Sequence, residues 1–187
     1  MRLRVARKSL PMLMRWLSIS EQLTFRKHTI KVEHAFDARY AKTWTRFVVR
    51  LGKCSVVALR TAFAGIGADP ASKRLDADRV CSEKALGAYL AGVIDGDGHV
   101  QKRRRTDGTG IETLIEIVFS EMGQAVEMQK MLAKFGKPKG YITAYPKHFD
   151  LWIYVNKPLA LWAKSFICPQ LTIETKRERL LSASLPR

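Results

Sequence analysis

Residues 88–99 read Ala88-Tyr89-Leu90-Ala91-Gly92-Val93-Ile94-Asp95-Gly96-Asp97-Gly98-His99, and the fold turns on how this stretch begins and ends. It begins as a helix. Leu86, Tyr89, Leu90 and Val93 recur at i, i+3, i+4 and i+7, one apolar face at the helical period. Gly87 with Ala91 and Ala88 with Gly92 form small-residue pairs four apart, which let another helix approach almost backbone to backbone. Gly96 and Gly98 then stop the helix and leave Asp95 and Asp97 at its C-terminal end. Carboxylates there oppose the helix dipole. A divalent cation, which takes hard oxygen ligands, gives them a reason to be there.

Upstream, Ser82-Glu83 reads as an N-cap and first turn. Downstream the pattern alternates between strands and helices. His99 to Arg105 is a basic strand, Thr106 to Gly110 a turn, and Ile111 to Ser120 the returning strand. On that strand Leu114, Glu116, Val118 and Ser120 point one way and Ile115, Ile117 and Phe119 the other. Gln124 to Phe135 is helical; Tyr141 to Tyr145 and Phe149 to Val155 form a second hairpin turning at Pro146-Lys147-His148. A helix opens at Lys157-Pro158 and runs to Phe166, Cys168-Pro169 interrupts it, and Ile173 to Ser182 closes the chain as a charged helix. The class is α+β.

The chain has 187 residues with a net charge of +16, an excess that points to a polyanionic partner. No run approaches the eighteen or so apolar residues of a membrane span, so no membrane partner is expected. Cys54, Cys81 and Cys168 show no metal-ligand spacing and read as free thiols of an intracellular protein. Residues 1–80 hold 17 Lys and Arg against 6 acids and so most of the excess charge. Their periodicity is poor: 47–51 reads as a strand and 35–44 as a short helix. Residues 1–75 are therefore read as a basic, poorly ordered extension, 69–74 as a linker, and 82–187 as the folded domain. The first twenty residues, Arg-rich and free of acids, are also of the type found in organelle transit peptides.

Leu90 to Gly98, LAGVIDGDG, resembles the signature of the LAGLIDADG homing endonucleases and departs from it at Val93 and Gly96. The resemblance covers roughly 82–182. It implies an αββαββα half-domain, with a curved antiparallel four-stranded sheet backed by helices. Members with one motif pair their signature helices in a homodimer, so Gly87, Ala88, Ala91 and Gly92 would form the interface, with Asp95 capping the partner helix. The sequence Phe63 to Asp69 faintly echoes the motif, but it lies too close to the motif for a half-domain of strands to fit between, and it is read as coincidence.

The resemblance also implies chemistry. Asp97 matches the metal-binding acid and the Gly96 carbonyl the backbone ligand beside it, for Mg²⁺ (or Mn²⁺). Glu121 stands where a polar residue positions water, and Lys176 is the choice for the basic residue, although Glu174 lies close to that position. Base and phosphate contacts would come from Lys102, Arg103, Arg104, Arg105, Glu112 and Thr113 on the first hairpin. Tyr141, Thr143, Tyr145, Lys147 and His148 serve on the second. Trp152 and Trp162 read as core. The function expected is site-specific, metal-dependent cleavage of double-stranded DNA at a long, near-palindromic site, in intron homing. The rival readings are an RNA maturase acting on intron RNA, or a DNA-binding protein of the same fold that does not cut. The compartment would be an organelle or a prokaryotic cytoplasm.

Overall fold

The computed structural model describes residues 2–6, 9–38, 40–65, 68–69, 74–105, 108 and 110–184. Two compact units divide the chain, Met1–Pro70 and Ala71–Arg187. Parts of the expected linker (70–73) and first-hairpin turn (106–107, 109) lie outside the described residues.

The first unit differs from the expected extension. It contains β1 (Arg2–Ala6), α1 (Leu10–Thr24), β2 (Ile30–Asp37), β3 (Lys42–Arg50) and α2 (Lys53–Gly65). The three strands form an antiparallel sheet in the order β1-β3-β2. Leu13 and Leu17 of α1, Leu59 of α2, and Val49 and Leu51 make a buried core. Residues 35–44, expected as a helix, are instead the turn end of a β-hairpin, with Ala35 opposite Trp44. The reason is legible afterwards: Ile30, Val32, His34 and Phe36 alternate at the strand period of two, and no helical stripe runs through them. Two short strands, β4 (Ala68–Asp69) and β5 (Arg74–Leu75), follow in sequence.

The second unit follows the predicted order. It holds α3 (Glu83–Asp97), β6 (Gly98–Arg104), β7 (Ile111–Phe119), α4 (Met122–Lys134), β8 (Tyr141–Ala144), β9 (Phe149–Tyr154), α5 (Lys157–Phe166) and α6 (Glu174–Leu181). Ser82 caps α3 by accepting the Ala85 N–H at 3.1 Å, and Asn156 caps α5 by accepting the Leu159 N–H at 3.0 Å. The four strands are antiparallel in the order β6-β7-β9-β8. Val100, Ile115, Ile117, Leu151 and Ile153 face one side and pack against Leu86, Leu90 and Ile94 of α3, Met128, Met131 and Leu132 of α4, and Leu159 and Trp162 of α5. All the helices that share this core therefore cover one face of the sheet.

The first unit repeats part of this plan. Its succession of strand, helix, two strands and helix, with order β1-β3-β2, is the topology of β7, α4, β8, β9 and α5, with order β7-β9-β8. The faint echo at 63–69 falls on the end of α2 and beyond; Ile66 and Gly67 are outside the described residues.

Candidate nucleic-acid interface and acidic turn

The end of α3 divides the labour between its two aspartates. Successive helical residues turn by about 100°, so positions two apart face nearly opposite sides. Asp95 turns inward and is 4% exposed, while Asp97 is exposed at the last position of the helix. The Asp95 carboxylate accepts the Thr172 N–H at 2.7 Å, the Thr172 hydroxyl at 2.6 Å and the Ile173 N–H at 3.3 Å. The expectation that Asp95 caps a partner's helix is thus corrected: it holds the entrance to α6 within its own unit. Lys176, one turn into α6, answers from the other side, its ammonium donating to the Ile94 carbonyl at 2.6 Å and the Asp95 carbonyl at 3.1 Å. A cation on the last carbonyls of a helix offsets the negative end of its dipole. It makes the position of Asp97 less costly. Gly98 follows with no room for a side chain, because an added Cβ would lie 2.7 Å from the Ile94 Cα. Its N–H closes the helix on the Val93 and Ile94 carbonyls.

Thr172 carries no local signal of this role, since the bond joins positions 77 residues apart. Thr172→Val is expected to lower stability by about 2 kcal/mol, the worth of a hydrogen bond to a buried charge. Thr172→Ser keeps the donor and should stay near wild type, which a denaturant titration would show.

The small residues of α3 also separate into two faces. Gly87 and Ala91 are buried within the unit, and a Cβ on Gly87 would meet the Phe166 backbone carbonyl at 2.6 Å. They are the seat of α5 and not a surface for a second molecule. Ala88, Gly92 and Gly96 face outward, and added Cβ atoms on the two glycines would meet nothing within 4 Å.

The sheet face away from the helices carries the other candidates. Cross-strand register places Arg103 beside Glu112, His99 and Glu116 beside Trp152 and Tyr141, and Asp150 beside Thr143. Arg103 donates to Glu112 at 2.5 Å and to the Tyr154 hydroxyl at 2.8 Å, and Glu112 pushes its guanidinium pKa up. Gln101 donates to Glu116. Tyr141 stacks on Trp152 with ring centroids 6.4 Å apart and lies 5.8 Å from the Tyr154 ring. In the turn between β8 and β9, Tyr145 stacks on His148 at 4.7 Å, and His148 Nε2 lies 3.5 Å from the nearly buried Asp150 carboxylate.

Arg103, Tyr141 and Thr143 therefore share one face, with Tyr145, Lys147 and His148 at its rim. Lys102 and Arg104 alternate to the other side at the strand's exposed end, and Arg105 follows the strand. Two expectations are corrected. Thr113 is 7% exposed and shares the side of Ile115, so it cannot reach a ligand on the opposite face. Trp152 belongs to that opposite face, not to the core, whereas Trp162 is in the core. Gln101, Glu116, Asp150 and Tyr154 were missed, although period-two counting from Arg103, Leu114 and Trp152 would have found them. Glu121 stands at the N-cap of α4, exposed, and its side chain makes no capping bond.

A divalent cation would find one carboxylate, Asp97, and the Gly96 carbonyl next to it. Among the described residues no cluster of three or more His, Cys, Asp or Glu offers a complete protein cage. That set fits Mg²⁺ in the manner of phosphoryl-transfer sites, where one or two carboxylates share the ion with phosphate oxygens and water.

No family model matches the sequence, and no curated protein sequence matches it. Solved structures do. The LAGLIDADG meganuclease I-AabMI bound to uncleaved DNA aligns over 98% of this chain and 79% of its own, with a TM-score of 0.56 and 10% identity. Full-length DUF199/WhiA from Thermatoga maritima aligns over 100% of this chain, with a TM-score of 0.53 and 14% identity. The chain spans 54% of that protein's length. At such identities the likeness is one of architecture: the chain has the α+β fold of the LAGLIDADG proteins.

Proposed function

We propose that this chain is a site-specific, divalent-metal-dependent endonuclease acting on double-stranded DNA. The observation that carries the reading is the division between the two aspartates. Asp95 is fully engaged in holding α6, while Asp97 is presented at the helix end with Lys176 bracing the carbonyls beneath it. A protein that only bound DNA would have no chemical use for a carboxylate pointed at a polyanion. Bound Mg²⁺ or Mn²⁺ would supply a polarised phosphate and an activated water. Asp97 and the Gly96 carbonyl would hold it, Glu121 would orient water, and Lys176 would keep the turn in place.

One chain offers one such turn among its described residues, and cutting two strands needs two. The outward face of α3, Ala88, Gly92 and Gly96, is the surface on which a second copy would pack, making a homodimer with a near-palindromic site. Arg103, held by Glu112 and Tyr154, would meet base edges, with Tyr141, Thr143 and the Tyr145–His148 turn beside it. Arg105, beyond the end of the strand, would meet phosphate.

A second reading is favoured by the likeness to WhiA: a DNA-binding protein of the same fold that does not cut. Selection of bound duplexes from a randomised library, followed by addition of Mg²⁺, separates the two. The nuclease reading expects a long, near-palindromic consensus that is then broken in both strands. Preferential enrichment of RNA over duplex DNA in a parallel selection would favour a maturase instead.

A further inference from the structure

We propose that the first unit carries a phosphate-binding pocket. A cavity of about 400 Å³ lies where the connection from α1 to β2 meets the junction of β3 and α2. Arg26, Lys27, Lys31 and Arg50 line it together with His28 and Ser55, and none of its described lining residues is acidic. Four permanent cations around one cavity repel one another. An anion seated among them removes that repulsion, and the planar forks of Arg26 and Arg50 match phosphate oxygens in pairs.

Two further features of this cavity select an oxygen-rich anion. Ser55 is 3% exposed and lines the cavity, where its hydroxyl can donate to an acceptor oxygen of a bound anion. The same cavity takes in the start of α2. The first bond into that helix runs from the Val56 N–H to the Gly52 carbonyl, 3.1 Å, so the N–H groups of Lys53, Cys54 and Ser55 precede the ladder. No acidic residue occupies the first turn. Backbone donors and the positive end of the dipole therefore add to the side-chain charge. The volume is larger than one phosphate group requires, so the ligand class is a phosphate ester or polyphosphate. Free nucleotides and nucleic-acid strands share that chemistry.

The test is calorimetric titration of the full chain at fixed ionic strength with pyrophosphate, ADP and a short DNA duplex. Ser55→Ala is expected to weaken pyrophosphate binding about tenfold, the effect of one hydrogen bond to a charged group. The double variant Lys31→Gln/Arg50→Gln, both positions exposed, should abolish it. Lys84→Gln/Lys157→Gln removes the same charge elsewhere and should leave it unchanged. Binding of pyrophosphate and ADP lost in the pocket variants supports the pocket with a free nucleotide as source. A loss seen with duplex alone supports it with a strand phosphate as source. Unaltered binding in all the pocket variants, or equal loss in the two double variants, overturns the proposal. Circular dichroism of each unliganded variant ensures that only folded protein is compared.

Discussion

Asp97→Asn is expected to slow DNA cleavage by about a thousandfold or more while leaving duplex affinity within about threefold of wild type. The amide keeps the size of the side chain but loses the charge that would hold a divalent cation. Metal stabilisation of a phosphoryl transition state is worth several kcal/mol, and about 4 kcal/mol corresponds to a thousandfold in rate. Affinity should survive because the residues assigned to binding, Arg103 and its neighbours, lie on the sheet and not at the helix end. Single-turnover cleavage and a gel-shift titration on the same duplex would give both numbers. Loss of affinity and activity together would mean that Asp97 serves the fold or the binding surface. Asp95→Asn separates the roles from the other side, since its buried bonds to Thr172 and Ile173 make it a stability variant first.

The second large effect is a contrast between two glycines five residues apart on α3. Gly87→Ala puts a methyl within 2.6 Å of the Phe166 carbonyl oxygen and its Cβ, and within 2.8 Å of the carbonyl carbon. Two of those three atoms are backbone, so α5 must move. Overpacking of this kind costs about 1–3 kcal/mol, which outweighs the gain of about 1 kcal/mol in helix propensity. Gly92→Ala meets nothing within 4 Å and should stabilise the isolated chain by up to about 1 kcal/mol. In a homodimer joined through the outward face the same methyl would push two helices apart. Gly92→Ala is then expected to raise the melting temperature of the monomer and weaken self-association, measured by sedimentation equilibrium. Unchanged self-association in Gly92→Ala and in a bulkier Gly92→Leu would place any dimer elsewhere.

The second unit was legible because its signals are local. Ser82 and Asn156 cap the helices they precede, and the period changes from helix to strand at Gly98, where α3 becomes β6. The first unit was not, because its signals are weak and its contacts distant. No side chain caps α1, no acidic residue opens α1 or α2, and β1 finds its partner at Arg46 to Arg50, far along the chain. The site was half legible. The motif pointed to Asp95, Asp97 and the four small residues, but treating them as one set ignored the helical turn. That turn sends Gly87, Ala91 and Asp95 inward and Ala88, Gly92 and Asp97 outward. What Asp95 touches could not be read at all, since Thr172 belongs to a different element.

The most direct test of the central claim is single-turnover incubation of the selected duplex with wild-type protein in Mg²⁺ and in EDTA. The account predicts one discrete double-strand break in Mg²⁺, at the centre of the near-palindromic site, and intact DNA in EDTA. Tight, salt-sensitive binding with no break in either Mg²⁺ or Mn²⁺ would contradict it and leave a DNA-binding protein of the same fold.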